Sequence, residues 1–267
     1  CASTPPAVNG AFVYYIQRGG VTIRTVKYSV DADDLVSVDL CLNSEHIASS
    51  PLSRVVFQAG RPDALWVLRS DGELAVVTID NAERIAGWHR HTPSGTSAKF
   101  VEVAPLARTD ASDQIWAVVE RSVPGIVSGA VLRYAEYLSD EISFPDIEDY
   151  FTASTAASAN AATYRAAVLA LLKTSVHLDA YETYNSTPAT VISGVHHLEG
   201  ETVTAVADGV ERAGLVVTNG AITLPVAASI VHVGLPYTGL LQTQNLEVGG
   251  RSGPAQAKPR NINALNI

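Results

Sequence analysis

A chain of 267 residues with 47% hydrophobic residues and a mean hydropathy of +0.15 can bury a sizeable core, which excludes a mainly disordered polymer. A net charge of −9 without a basic stripe excludes gripping nucleic acid through its phosphates, although an acidic wall suits DNA that passes without sticking. Two cysteines, Cys1 and Cys41, make no disulfide framework and read as unpaired thiols.

The chain holds no Met and begins with Cys1, so it is expected to be processed or a piece of something longer. Residues 1–6 lack the basic and then apolar pattern of a signal peptide. No apolar run nears the roughly 18 to 20 residues that a membrane helix needs.

Three segments then repeat. Residues 12–28 read as strand, turn at Gly19-Gly20, strand. Residues 63–80 read the same way, with the turn at Asp71-Gly72. Residues 113–137 do so again, with Pro124-Gly125 in a longer loop. Tyr14, Trp66 and Trp116 occupy matching places, separated by 52 and 50 residues. Strand candidates over 53–58 and 98–104 precede the second and third hairpins, giving three to four strands per unit. A period near 50 built from antiparallel strands is that of propeller blades. Three units do not close a propeller ring, so either further sequence supplies blades or the sheets pack openly. Trp66 and Trp116 read as inter-sheet core, with ligand stacking as the alternative role.

Between 144 and 175 the pattern changes. Residues 151–160 are small and polar, and residues 161–173 predict an Ala-rich helix with Ser158 or Asn160 as its cap. Tyr164, Val168, Leu171 and Leu172 are expected on one apolar face. Ordering of this helix is expected only through packing on a neighbouring subunit or on the segment that follows.

From 176 the β pattern resumes, with strands predicted over 177–184, 190–193, 201–207, 214–218, 221–224 and 229–233. Turns are predicted at Asp208-Gly209 and Asn219-Gly220. Such short strands predict a small sandwich or barrel over 176–248. Residues 249–267 read as a linker and the start of a further segment. The expected architecture is therefore mainly β: blade-like sheets over 1–143, a helical insertion over 144–175, and the small β domain.

Signals for chemistry are thin. The histidines are His46, His89, His91, His177, His196, His197 and His232. His89 and His91 fall on one side of an extended strand, a spacing that suits a metal, but Arg90 and Arg84 add positive charge nearby and no acidic ligand adjoins them. His196 and His197 point to opposite faces if extended. The acidic groups Asp31-Asp33-Asp34, Asp140-Glu141 and Asp146-Glu148-Asp149 sit in turn-like contexts and read as solvated loop charge. No nucleophile elbow, Walker loop or dinucleotide fingerprint is present, and Gly249 to Gly253 follows no βαβ pattern. No catalytic, cofactor or metal residue is assigned.

Several stretches together resemble the tail nozzle proteins of short-tailed phages, also called tail tubular protein B or phage stabilisation proteins. They are residues 55–58, 63–72, 87–91 (Gly-Trp-His-Arg-His), 113–121 and 133–136, then 194–203, 207–209 and 232–238. The Ala/Ser-rich stretch over 151–175 departs from that family's pattern. The resemblance implies a structural virion protein, not an enzyme, assembled as a ring of six copies below the portal and adaptor. Such a ring extends the DNA-ejection channel and carries fibres or spikes. The alternative from another class is a carbohydrate-binding or depolymerising propeller, as in an adhesin or tailspike.

Overall fold

A computed structural model describes residues 4–60, 63–80, 85–109, 112–126, 131–139 and 157–240. Among the described residues the fold is mainly β, with four antiparallel sheets of three or four strands, one long helix and no closed barrel. Residues 1–237 make one compact unit.

The predicted repeat is the organising feature. The first sheet is a meander of β1 (Ala7–Asn9), β2 (Phe12–Ile16), β3 (Ile23–Ser29) and β4 (Asp34–Asp39). The second is β5 (Leu52–Gln58), β6 (Asp63–Arg69), β7 (Leu74–Asp80) and β8 (Ile85–His91). The third is β9 (Thr96–Leu106), β10 (Gln114–Ser122) and β11 (Val131–Tyr137). Tyr14, Trp66 and Trp116 all lie on the second strand of their sheets. Gly19 and Gly20 both take positive φ (105° and 72°), which lets β2 turn back tightly into β3. Sequence reading missed β1 and β4. Asp34 is not loop charge but opens β4, and only Asp33 takes a left-handed conformation, at φ 47°.

The sheets stack face on face. Tyr14, Ile16 and Ile23 of the first sheet meet Val55, Leu65, Val67, Ala75 and Val77 of the second. The opposite face of the second sheet, with Val56, Trp66, Leu68, Leu74 and Val76, meets Val103 and Ile115 of the third. This explains why β6 and β7 are nearly continuous apolar runs: a sheet covered on both faces has no solvent side to alternate toward. Burying an aliphatic side chain contributes about 1.5–3 kcal/mol, so this doubly covered sheet carries much of the stability. Trp66 is 7% exposed and donates its indole N–H to Gln58 Oε1 (2.7 Å), as core residues with a polar tip require.

The fourth sheet runs in the order β12 (Asp179–Ser193), β15 (Ala221–Leu235), β13 (Thr202–Ala207) and β14 (Val210–Val216). The strands predicted over 177–184 and 190–193 are one strand, β12, and those over 221–224 and 229–233 are one strand, β15. Register shifts around Ala189 break the long pairing near Pro188 and Pro225. Proline interrupts the alternation that a sequence reader follows, while a bulge lets the strand continue with a bend. The bend lets both ends contribute to one core, with Ile192, Ile222 and Leu224 from one end and Val231 and Val233 from the other, beside Val203 of β13. Both predicted turns hold, with positive φ at Asp208-Gly209 and at Asn219-Gly220.

Helix α1 (Ala157–Thr174) is longer than predicted. Tyr164, Val168 and Leu171 are partly buried on one face, as expected. Leu172 is not: it is 40% exposed, because at eight residues beyond Tyr164 it has rotated off the stripe. No described helix is long and apolar enough to cross a membrane.

Candidate functional site at the junction of the third and fourth sheets

The densest polar arrangement lies where β10 and β11 meet the start of β12. Arg121 of β10 is 2% exposed. A buried guanidinium needs every donor satisfied. Its Nε donates to Ser94 O (2.7 Å), its Nη1 donates to Glu136 Oε1, and its Nη2 donates to Glu136 Oε2 (3.0 Å) and Asp179 Oδ2 (3.3 Å). Asp179 also accepts from Ser94 N (2.5 Å) and Ala180 N (2.9 Å). One side chain thus ties four segments: the loop after β8, β10, β11 and β12. Burial works against the arginine's charge, but Glu136 and Asp179 outweigh it and hold its pKa above the ordinary value.

The surrounding backbone is built to admit this contact. Gly95 has φ +109°, and a Cβ there would stand 3.0 Å from Arg121 Cδ. Gly125 donates its N–H to Glu199 O (2.9 Å), and a Cβ at Gly125 would come within 2.6 Å of that same oxygen. The Glu199 carboxylate in turn accepts from Asn219 N (2.8 Å) and Gly220 N (2.6 Å), so it closes the β14–β15 turn. Tyr134 and His197 meet edge to face across the junction, and His197 Nε2 donates to Ala180 O (2.8 Å). Burial raises the pKa of Glu201, with Arg121 pulling it back down.

His91 borders this network. It stacks on Trp66 (centroids 5.3 Å apart) and meets the His89 ring edge-on (5.1 Å). Burial, assisted by His89 and opposed by Asp179, lowers its pKa to about 4. Its Nε2 is buried and finds no hydrogen-bond partner among the described residues. His89 and His91 do share a strand face, as the spacing predicts; His89 is exposed, and His91 is half-buried against Trp66. Among the described residues no three His, Cys, Asp or Glu side chains converge as a metal would need.

The remaining histidines are dispersed. His46 and His177 are exposed. His196 and His197 lie in a 3-10 turn rather than an extended strand, so the reason given for separating them changes. His196 covers Gly220, where a Cβ would sit 2.1 Å from its Cε1, while His197 serves the junction. His232 is buried (3% exposed) and bridges Thr183 Oγ1 (2.9 Å) to Lys173 O (3.0 Å). The carbonyl only accepts, so Nε2 carries the proton and Nδ1 accepts from the Thr183 hydroxyl. Cys41 is a free, buried thiol. The acidic groups at 140–141 and 146–149 lie outside the described residues, as does Cys1.

Sequence reading assigned no role to Arg121, Glu136 or Asp179. Yet Arg121, Tyr134, Glu136, His197 and Glu199 all belong to the stretches that carry the nozzle resemblance. Three of the eight stretches, 113–121, 133–136 and 194–203, meet at this junction. Compared with known proteins, the sequence matches no family model and no curated relative. What the geometry defines is a class of arrangement: three blade-like sheets in a stack, with a fourth sheet clasped to the third. The clasp supplies fixed charges and satisfied donors. No hydrogen-bonded pair of nucleophile and base stands at its centre.

Proposed function

We propose that the chain is a structural component of a short phage tail, of the tail nozzle type, which assembles as a ring and extends the DNA-ejection channel below the portal and adaptor. The observation that carries this reading is that three of the eight resemblance-bearing stretches, 113–121, 133–136 and 194–203, meet at the junction around Arg121. Residues of a reactive site meet around a cleft; these meet around an ion-pair network that joins two sheets. A protein whose distinctive residues serve geometry is suited to a load-bearing wall. The net charge of −9 supports the same reading, since passing DNA is repelled from an acidic surface. On this reading the protein resides in the virion, needs no cofactor, performs no catalysis, and contacts the adaptor and the fibres or spikes. Six copies per ring is the number that the family resemblance supplies.

The test is mass measurement on purified particles and on the isolated protein. Stoichiometric presence in virions, in a multiple set by one ring, is expected. A strictly monomeric protein that is absent from particles overturns the proposal.

A second reading has one observation in its favour. Trp116 and Tyr137 form an aromatic pair (centroids 5.4 Å apart) on the outer face of the third sheet, with Tyr137 50% exposed, and exposed aromatic pairs stack on sugar rings. A glycan screen separates the two: saturable binding lost in Trp116→Ala with the fold intact favours a carbohydrate-binding protein. Trp66→Ala is not a usable probe, because Trp66 is core.

A further inference from the structure

The chain contains two Asn-Gly pairs in nearly the same setting, Val8-Asn9-Gly10-Ala11 and Thr218-Asn219-Gly220-Ala221. Asparagine before glycine carries a reaction of its own. The glycine backbone nitrogen attacks the side-chain amide carbon. A new N–C bond forms, the C–NH2 bond breaks, and ammonia leaves with the proton of the glycine N–H. Water then opens the succinimide at either carbonyl, leaving aspartate or isoaspartate. Glycine permits the attack because it has no Cβ to hinder the approach. Each pair follows a β-branched residue and precedes alanine, so the two share one intrinsic reactivity. A difference between them in the folded chain is then the work of the fold.

The two turns treat the attacking nitrogen in opposite ways. Asn219 and Gly220 both take positive φ (54° and 68°), and Thr218 and Ala221 pair on either side, as in a two-residue hairpin turn. Gly220 N donates to Glu199 Oε2 (2.6 Å), and Asn219 N donates to Glu199 Oε1 (2.8 Å). Gly220 O accepts from Gly194 N (3.0 Å) and Val195 N (3.1 Å). Attack needs this backbone to rotate and its amide nitrogen to be released, and one carboxylate opposes both. Gly220 is also buried under the His196 ring.

Nothing comparable holds Gly10. Its N–H finds no partner among the described residues, and a Cβ there would meet nothing within 4 Å. Strand β1 has three residues and lies at the edge of its sheet, and Asn9 is its last, paired across the turn with Phe12. The Asn9 side-chain amide reaches Asp63 Oδ2 only at 3.5 Å, too far to fix it firmly. Exposure alone ranks the pairs the other way, since Asn219 is exposed and Asn9 half-buried.

We propose that Asn9-Gly10 is a site of spontaneous deamidation, and that the Glu199 carboxylate protects Asn219-Gly220 from the same reaction. Conversion at position 9 places a second carboxylate beside Asp63, where like charges repel, so it weakens the contact between the end of β1 and the start of β6. The site holds whether or not the chain is a tail component.

The experiment incubates the full chain at mildly alkaline pH, folded and, in parallel, unfolded in guanidinium chloride. Mass spectrometry of the two Asn-Gly peptides follows the gain in mass as amide becomes acid. Each folded rate is read as a ratio to the unfolded rate of the same peptide. That ratio is expected to be at least about tenfold higher for Asn9 than for Asn219, because a hydrogen bond to a charged acceptor must break before Gly220 attacks. Glu199→Ala, checked for an unchanged circular dichroism spectrum, is expected to close most of that gap by speeding Asn219 while Asn9 keeps its rate. Glu199→Gln keeps the side chain's volume and one neutral acceptor, and is expected to fall between; it is the deciding variant where Glu199→Ala loses the native spectrum. A folded Asn9 no faster than Asn219, or an Asn219 rate that removal of the carboxylate leaves unchanged or slows, overturns the proposal.

Discussion

The joint between the second and third sheets and the joint between the third and fourth solve the same problem with opposite chemistry. The first is apolar: Trp66, Leu68 and Val76 lie against Val103 and Ile115. The second is polar, with one buried arginine answering two carboxylates and a carbonyl. Apolar packing fixes the distance between faces and tolerates sliding, since dispersion has no direction. A forked guanidinium on a bidentate carboxylate fixes an angle, because its donors lie in one plane. The stack is held together by area; the fourth sheet is held at a heading.

That contrast can be broken by substitution. Leu65→Ala, at a fully buried position between the first two sheets, is expected to cost about 4 kcal/mol, read as a drop in the urea midpoint. Arg121→Ala is expected to cost about 3 kcal/mol by stranding Glu136 and Asp179. The two should differ in rescue. Replacing the whole network (Arg121→Met, Glu136→Gln, Asp179→Asn) should return stability to within about 1 kcal/mol of the original, since a buried ion pair offsets its own desolvation poorly. No rescue that spares the cavity exists for Leu65. If the triple variant is no more stable than Arg121→Ala alone, the network contributes more than alignment.

A smaller effect sharpens the comparison through pH. His91 sits between the two joints with its pKa lowered to about 4 from an ordinary 6.5. The unfolded chain binds the proton first, so the neutral ring's contribution is complete above pH 6.5 and is lost as pH falls toward 4. The loss should reach on the order of 2 kcal/mol after allowing for partial exposure. His91→Phe keeps the stack on Trp66 and removes the titration. Thermal melts of the two proteins should therefore lie close together at pH 7 and diverge toward pH 4.5, with His91→Phe keeping the stability that the original protein loses. Parallel curves would mean that His91 titrates normally.

The smallest effect concerns the helix. Tyr164, Val168 and Leu171 are only half-buried, so amides over 161–170 should exchange roughly a hundredfold faster than those of β6 and β7. Equal protection would show that the helix shares the stability of the sheets.

The stack was legible in the sequence because its signals are local. Gly-Gly and Asp-Gly turns, apolar runs and a recurring aromatic each arise within a few residues. The fourth sheet was legible in its turns but not in its strands, since Pro188 and Pro225 look like ends when the sheet uses them as bends. The clasp was not legible. Arg121, Glu136 and Asp179 are ordinary charged residues in sequence, and only the fold, with Gly95 admitting the Arg121 side chain closely, brings them into one low-dielectric place. The motif resemblance touched five of its participants without indicating that they meet. His91 was noticed for the wrong reason: its partner at two residues' spacing is real, but His91 stacks on Trp66 while His89 stays exposed.

His232 has a mechanical consequence. Its ring holds the last turn of α1 to β15 through Lys173 O, and 18 helical residues make a rod about 27 Å long. The rod rests on its half-buried face at Tyr164, Val168 and Leu171, and the imidazole ties its last turn to the strand that runs on to Leu235. Leu235 is the strand partner of Asp179, so the end of the helix and the clasp are joined through one strand.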